Sequence, residues 1–141
     1  MSEINAYVDG GCFGNGKHTN VDSMYGSYRI YEKDTGRMLI EKLRFSLSGT
    51  NNITNNCAEW TSLFMLVCEL KLSGFLDQPD TTINIFMDSE LVVKQYSGVY
   101  RIKKPHLKEI FKAVKKLTDA GAATVNLTWI SGEDMKKELG H

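Results

Sequence analysis

The sequence predicts an α/β fold in which a mixed five-stranded sheet carries helices on both faces. Two strand-like segments near the N-terminus are joined at Asp34-Thr35-Gly36, which is typical of a hairpin. Further along, strand-like segments alternate with segments of helical periodicity, and this order requires parallel strands with right-handed crossovers. The length of 141 residues suits one compact domain with its own core, so we expect residues 1–141 to form a single domain.

The strands are predicted from alternation and from the glycines that interrupt it. The first strand begins near Ile4 and is expected to end at Asp9, where glycines follow. The hairpin supplies the second and third strands. A fourth strand, apolar enough to be buried, ends at Asp88, and the segment ATVNLTWI predicts a fifth.

The helices are predicted from apolar spacing and from their terminal residues. Thr54 to about Leu72 has apolar residues at helical intervals. Ser89 is a suitable cap for a short helix that stops at Gly98. Pro105 is typical of a third helix start, and GEDMKKELGH predicts a short terminal helix.

Composition excludes several classes of protein. The 17 basic and 17 acidic residues cancel, so binding of nucleic acid by bulk charge is excluded and any such role needs local clustering. The three cysteines match no zinc spacing and are expected to be reduced intracellular thiols. We see neither a signal peptide nor a membrane-spanning segment, so the predicted location is cytoplasmic, without a membrane partner.

Three acids stand at ends of predicted elements. If the strands that end at Asp9 and Asp88 are parallel neighbours, their carboxylates meet at the sheet edge where open α/β sheets bind ligands. Glu59, near the start of the first long helix, can lie over that edge. Clustered carboxylates repel unless cations separate them, and oxygen ligands favour Mg²⁺ or Mn²⁺. The alternative is structural: strand-end aspartates form turns, and a glutamate near a helix start favours the helix dipole.

Three motifs, YVDGGCFGNG, TNNCAEW and FMDSELVVKQYSG, closely resemble in order and separation the type 1 ribonuclease H family. The resemblance runs from Ile4 to about Trp129. It implies a ribonuclease H-like fold with strand order 3-2-1-4-5. It also implies a metal-dependent endoribonuclease that cuts the RNA strand of RNA–DNA hybrids with two Mg²⁺ or Mn²⁺ ions, leaving 3′-hydroxyl and 5′-phosphate ends.

The resemblance implies roles for individual residues. Asp9, Glu59 and Asp88 match the metal-binding catalytic acids of the family. The positions that match hybrid contacts are Gly10, Gly11, Cys12, Asn15, Thr54, Asn55 and Asn56. Glycine in the first loop would let the backbone approach the cut strand. For the asparagines, ordinary helix capping and turn formation are the alternative.

A basic segment is the second candidate nucleic-acid surface. Eight of the 17 Lys and Arg lie between Lys94 and Lys116, with Glu109 as the only acid. Such clustering predicts a phosphate-binding face, and we assign Lys103, Lys104 and Lys108 to it. A solvated helix face is the alternative. Trp60 and Trp129 are expected in the core, and we predict a monomer without a protein partner.

The pattern departs from the family after Trp129, where no residue matches the usual fourth aspartate. We predict that the His141 imidazole is the fourth catalytic metal ligand, with its terminal carboxylate as the alternative. Glu133, Asp134 and Glu138 are the next candidates.

Two other functions are compatible with the same pattern. One is a non-catalytic module that binds hybrid or double-stranded RNA on the same fold. The other is a DNA or junction nuclease of the superfamily. The three retained acids argue against the first, and the TNN segment together with Asn15 argues against the second.

Overall fold

A computed structural model describes residues 2–12, 24–47 and 54–140. Within these ranges the chain forms five strands and four helices in the predicted order. The strands are β1 (Ser2–Cys12), β2 (Met24–Glu32), β3 (Met38–Ser46), β4 (Thr81–Met87) and β5 (Thr124–Trp129). The helices are α1 (Asn55–Leu72), α2 (Glu90–Tyr96), α3 (Pro105–Ala120) and α4 (Gly132–Leu139). A single 3₁₀ turn, Phe75–Asp77, follows α1.

The sheet has the strand order β3-β2-β1-β4-β5, as predicted. The hairpin strands pair antiparallel with each other, and β2 also pairs antiparallel with β1. The pairs β1–β4 and β4–β5 are parallel, because helices connect their strands. The predicted mixed sheet is therefore confirmed.

The first strand is longer than predicted. It does not end at Asp9 but continues to Cys12, paired with β2 over its whole second half. Its pairing with β4 stops earlier, at Tyr7. The glycines do not break the strand, because Gly10 lies under α1: an added Cβ there would be 2.5 Å from the carbonyl oxygen of Ala58. Glycine at this position meets a packing requirement and does not terminate the strand.

The core lies between α1 and one face of the sheet. Alternate residues of β1, namely Ile4, Ala6 and Val8, are buried beneath it. Trp60 of α1 is fully buried, and its indole N–H donates to Gln95 Oε1 at 2.8 Å, which satisfies the polar atom. Burial of a large apolar side chain contributes roughly 1.5–3 kcal/mol, so the residues buried in this layer stabilise the fold.

The opposite face of the sheet carries α4. Arg29 of β2 donates from Nη1 to the backbone carbonyl of Glu138 at 2.6 Å. Met135 and Leu139 of α4 are buried. Helices therefore lie on both faces, as the sequence predicts.

The helix caps explain where the helices begin and end. Thr54 Oγ1 accepts a hydrogen bond from the Cys57 backbone N–H at 3.0 Å, and Ser89 Oγ accepts one from Val92 at 3.2 Å. Gly98, after α2, has a φ of +85°, a conformation that favours glycine. In the described part of the chain, no helix combines the length and apolarity that a membrane crossing requires.

Candidate active site

Two neighbouring parallel strands place Asp9 and Asp88 side by side. Tyr7 of β1 pairs with Phe86 of β4 in the last step of their ladder. Asp9, still within β1, and Asp88, the first residue after β4, each stand two residues beyond that pair, so they lie at the same level of the sheet. Because side chains alternate along a strand, both point to the face away from α1.

The first helix brings the third acid over this edge. Glu59 lies in the second turn of α1, a helix that begins at the cap Thr54. The helix approaches β1 closely because Gly10 has no side chain; a Cβ there would also be 2.3 Å from Ser62 Oγ. A glycine at this position is thus a condition for bringing Glu59 near the strand ends.

The three carboxyl groups share one electrostatic environment. Burial, reinforced by the Asp88 carboxylate, raises the pKa of Asp9 to about 7. Burial likewise raises the pKa of Glu59 to about 7, with smaller contributions from Asp88 and Asp9 and an opposing contribution from the polar side chain of Ser89. The structure therefore brings these three predicted acids together.

The chemistry of the donor set fits a hard divalent cation, although the side chains are not arranged around one. Among residues 2–12, 24–47 and 54–140, no three Asp, Glu, His or Cys side chains surround a common ion position. Asp9 is affected mainly by burial and by Asp88, whereas Ser89 opposes the upward pKa shift of Glu59. Buried carboxylates whose pKa is raised by neighbouring negative charge, as for Asp9 and Glu59, are the type of group that Mg²⁺ or Mn²⁺ stabilises. The raised pKa values and the absence of a common ion position are compatible, because carboxylates influence each other's charge over longer distances than those between a metal ion and its ligands.

Solved structures provide the decisive comparison. The chain matches RNase H1 from the halophilic archaeon Halobacterium salinarum with a TM-score of 0.77 at 22% identity, covering 97% of this chain and 93% of that one. It matches LC11-RNase H1, solved in complex with RNA/DNA hybrid, with a TM-score of 0.75 at 28% identity, covering 96% and 92%. This chain has the fold of the type 1 ribonucleases H. The predicted resemblance and fold class are confirmed.

A third match is the N-terminal RNase H domain of a Mycobacterium tuberculosis protein, solved as a fusion with maltose binding protein. Its TM-score is 0.77 at 23% identity, covering 99% of this chain and 91% of that one. No protein-family model matches the chain, and no curated protein matches it in sequence. The likeness therefore rests on three-dimensional structure, and it supports a nuclease of the ribonuclease H type.

In this ribonuclease H fold, the predicted hybrid-contacting segments meet beside the acids. The Cys12 backbone N–H donates to Asn55 Oδ1 at 3.1 Å, which ties the end of β1 to the start of α1. Thr54 caps α1, so both residues have roles in the fold itself. Asn56 differs, because its Oδ1 is buried without a hydrogen-bond partner in the described part of the chain. Asn15 lies outside the described residues.

The predicted basic residues are solvent-exposed near the start of α3. Lys103 and Lys104 immediately precede the helix, and Lys108 lines a groove of about 520 Å³ together with Arg101 and Phe111. No carboxylate in the ranges that the structure describes lies within ion-pair distance of these three lysines. Other cations of the segment are paired: Lys94 with Glu90 at 2.5 Å, Lys112 with Glu109 at 3.8 Å and Lys115 with Asp119 at 3.6 Å.

The start of α4 reaches the acid cluster, but with a glycine. A Cβ on Gly132 would be 3.6 Å from Asp88 Oδ2. Asp134 is exposed and 4.0 Å from Lys137 Nζ. Glu138 lies toward the sheet, where its charge adds to burial in raising the pKa of Tyr7. His141 lies outside the described residues.

Sequence reasoning missed the role of Trp129. It is not a core residue, because 48% of it is exposed. Its indole N–H donates to the backbone carbonyl of Asp88 at 3.1 Å, and the Ile130 N–H donates to the Met87 carbonyl at 2.8 Å. These two bonds hold the turn that carries the Asp88 carboxylate. The only signal in the sequence was its position at the end of the last strand.

Proposed function

We propose that this chain is a metal-dependent endoribonuclease that hydrolyses the RNA strand of RNA–DNA hybrids and leaves 3′-hydroxyl and 5′-phosphate ends. The observation that carries the proposal is the cluster of Asp9, Asp88 and Glu59 at one sheet edge. Structural similarity to ribonucleases H, including one solved with RNA/DNA hybrid, supports the substrate class.

Asp9, Asp88 and Glu59 would hold the metals, with His141 as the proposed fourth ligand. Two Mg²⁺ or Mn²⁺ ions at such a site supply an activated water and stabilise the leaving 3′ oxygen. The protein contributes oxygen ligands whose mutual repulsion favours cation binding.

The remaining groups would hold the nucleic acid in register with the acids. The backbone of Gly10, Gly11 and Cys12 lies in the strand that carries Asp9. Asn56 would accept a hydrogen bond from a ribose hydroxyl, the group that distinguishes RNA from DNA, if its side chain turns outward, because its Oδ1 is buried without a hydrogen-bond partner. Lys103, Lys104 and Lys108 would neutralise phosphates further along the duplex, and Asn15 would contact the hybrid from the first loop.

The deciding experiment is cleavage of labelled RNA–DNA hybrid, double-stranded RNA, single-stranded RNA and double-stranded DNA, with Mg²⁺ or Mn²⁺ and with EDTA. We expect metal-dependent cleavage of the RNA strand of the hybrid only. Binding of hybrid without cleavage would support a non-catalytic module, and cleavage of DNA would support another nuclease of the superfamily. Either result would refute the proposal.

The acids are tested separately by Asp9→Asn, Glu59→Gln and Asp88→Asn. Each variant should fold and bind hybrid but lose cleavage at least about 100-fold, because a charged oxygen ligand is replaced by a neutral one. A folded variant with parental activity would remove that residue from the site. His141→Ala, assayed in both metals, tests the fourth ligand: parental rates in both would exclude its imidazole.

A further inference from the structure

The hairpin strand β3 contains an irregularity beside the acid cluster. Between its pairs with Gly26 and Tyr28 of β2, it carries one extra residue, so that Leu43 and Arg44 both stand opposite Ser27. This is a β-bulge, a feature that is frequent near active sites because it redirects a side chain.

The bulge forces Arg44 into an unusual backbone conformation. Its φ is +49°, and only one other non-glycine residue in the described ranges, Asp80, has a positive φ. This region disfavours any residue that carries a Cβ. The strained backbone is secured by the Arg44 N–H, which donates to Ser27 Oγ at 2.8 Å; Ser27 is fully buried. A non-glycine residue held in this disfavoured backbone conformation suggests that its side chain has a functional role.

The Arg44 side chain is directed toward the acids. Its guanidinium carbon lies 5.2 Å from the ring centroid of Tyr25. Tyr25 pairs with Gly11, and an added Cβ on Gly11 would be 2.9 Å from the Tyr25 hydroxyl, so the ring lies against the strand two residues beyond Asp9. The charge of Arg44 is near enough to oppose the upward pKa shifts of Asp9 and Tyr25.

The guanidinium also remains available for a ligand. Arg29 and Arg37 of the same hairpin pair with Glu41 at 2.6 Å and Glu32 at 3.7 Å. No carboxylate in residues 2–12, 24–47 or 54–140 lies at ion-pair distance from Arg44. The aromatic ring of Tyr25 holds the Arg44 cation beside the acids, and its N–H donors are not used in an ion pair within the described ranges; a guanidinium of this kind suits bidentate binding of a phosphate.

We propose that Arg44 is a substrate-contacting residue whose guanidinium binds a phosphate of the nucleic-acid strand that lies over Asp9. This rests on the proposed function, because it requires a phosphodiester at the acid cluster. It adds a cation on the β2–β3 side of the acids, the side opposite the strands β4 and β5.

The test compares Arg44→Gln with Arg37→Gln, which makes the same charge change at the exposed hairpin end. Steady-state cleavage of hybrid is measured at saturating Mg²⁺. Arg44→Gln should raise KM about 10- to 100-fold, the range expected from a charge-assisted hydrogen bond, with kcat nearly unchanged. The Arg37 variant should keep the parental KM. Arg44→Lys, which retains a point charge without the planar fork, should be intermediate.

Arg44→Gly controls for folding, because glycine adopts a φ of +49° without strain. It should show the same rise in KM without a lower melting temperature. If Arg44 acted only as a counter-charge for the acids, Arg44→Gln would change the Mg²⁺ concentration required and leave KM at saturating Mg²⁺ unchanged; that result overturns the proposal. If the wild type cuts hybrid and Arg44→Gln has the parental KM, Arg44 does not contact the substrate, and the proposed function stands without it. If the wild type does not cut hybrid, the proposed function fails and this inference fails with it.

Discussion

Replacing Asp9 by Asn should stabilise the metal-free protein at alkaline pH, although it removes a proposed catalytic group. Burial and the neighbouring Asp88 raise the pKa of Asp9 from 3.8 to about 7. The native state therefore binds more protons than the unfolded chain between about pH 4 and about pH 7, and the free energy of unfolding falls as pH rises through that window. Above about pH 7 this decrease in the free energy of unfolding is complete. Asparagine has nearly the same shape and carries no charge.

The size of the expected stabilisation follows from the pKa shift of Asp9. About three pKa units at roughly 1.4 kcal/mol each set a ceiling of about 4 kcal/mol. Asp9 is only partly buried, and solvent screens part of this energy, so we expect about 1–2 kcal/mol. Unfolding entropy of about 2 cal/mol/K per residue then converts this gain to a rise in Tm of roughly 3–7 °C for a chain of this length.

The assay is thermal unfolding followed by circular dichroism in EDTA, at about pH 8 and at about pH 4. The Asn variant should melt higher at the alkaline pH, and the difference should be mostly lost at the acid pH, where Asp9 is protonated in the native protein. Asp34→Asn, in the exposed hairpin turn, is the control with the same charge change. If the Asn variant melts at a lower temperature than its parent at alkaline pH, repulsion does not dominate at this site. The same conclusion holds if the difference in Tm between variant and parent is equal at the two pH values.

Three further predictions concern other parts of the site. Reversing Lys103, Lys104 and Lys108 to Glu should weaken hybrid binding and reduce the slope of log K against log salt, by about 0.7–0.9 for each phosphate that is no longer neutralised; an unchanged slope would place the phosphates elsewhere. Gly10→Ala should destabilise the fold by about 3 kcal/mol or more, measured by urea unfolding, because its Cβ would be 2.5 Å from a backbone carbonyl oxygen. Gly132→Asp should lower the Mg²⁺ concentration for half-maximal cleavage, since it adds a carboxylate whose Cβ lies 3.6 Å from Asp88 Oδ2; Gly132→Asn, neutral and of the same size, should not.

Most element boundaries were predictable because they depend on local signals. Thr54 and Ser89 cap helices where the sequence predicted, and Pro105 begins α3. A cap or a proline acts within one helical turn, so neighbouring residues suffice to predict it. The parallel pairing of the strands that precede Asp9 and Asp88 followed from the alternation of strands and helices.

Other features depended on contacts between distant segments. The first strand continues through Gly10 because α1, almost fifty residues later, packs against it. Trp129 is exposed because its indole reaches the carbonyl of Asp88 across a strand pair. No glycine or other turn residue in the sequence predicts the bulge at Arg44. The bulge is held by Ser27 of the partner strand, which lies 17 residues away in sequence.

The sequence by itself determined which elements form and in what order, and it indicated which acids lie on neighbouring elements, because periodicity and caps act over a few residues. Only the tertiary structure decided that Asp88 lies near enough to raise the pKa of Asp9, that Glu59 lies near both aspartates, and that α4 presents a glycine to Asp88. Those outcomes depend on distances between segments brought together by packing. The pKa values of Asp9 and Glu59 near 7 have the same origin, since these two carboxyls become buried beside negative charge only when the sheet and α1 pack together.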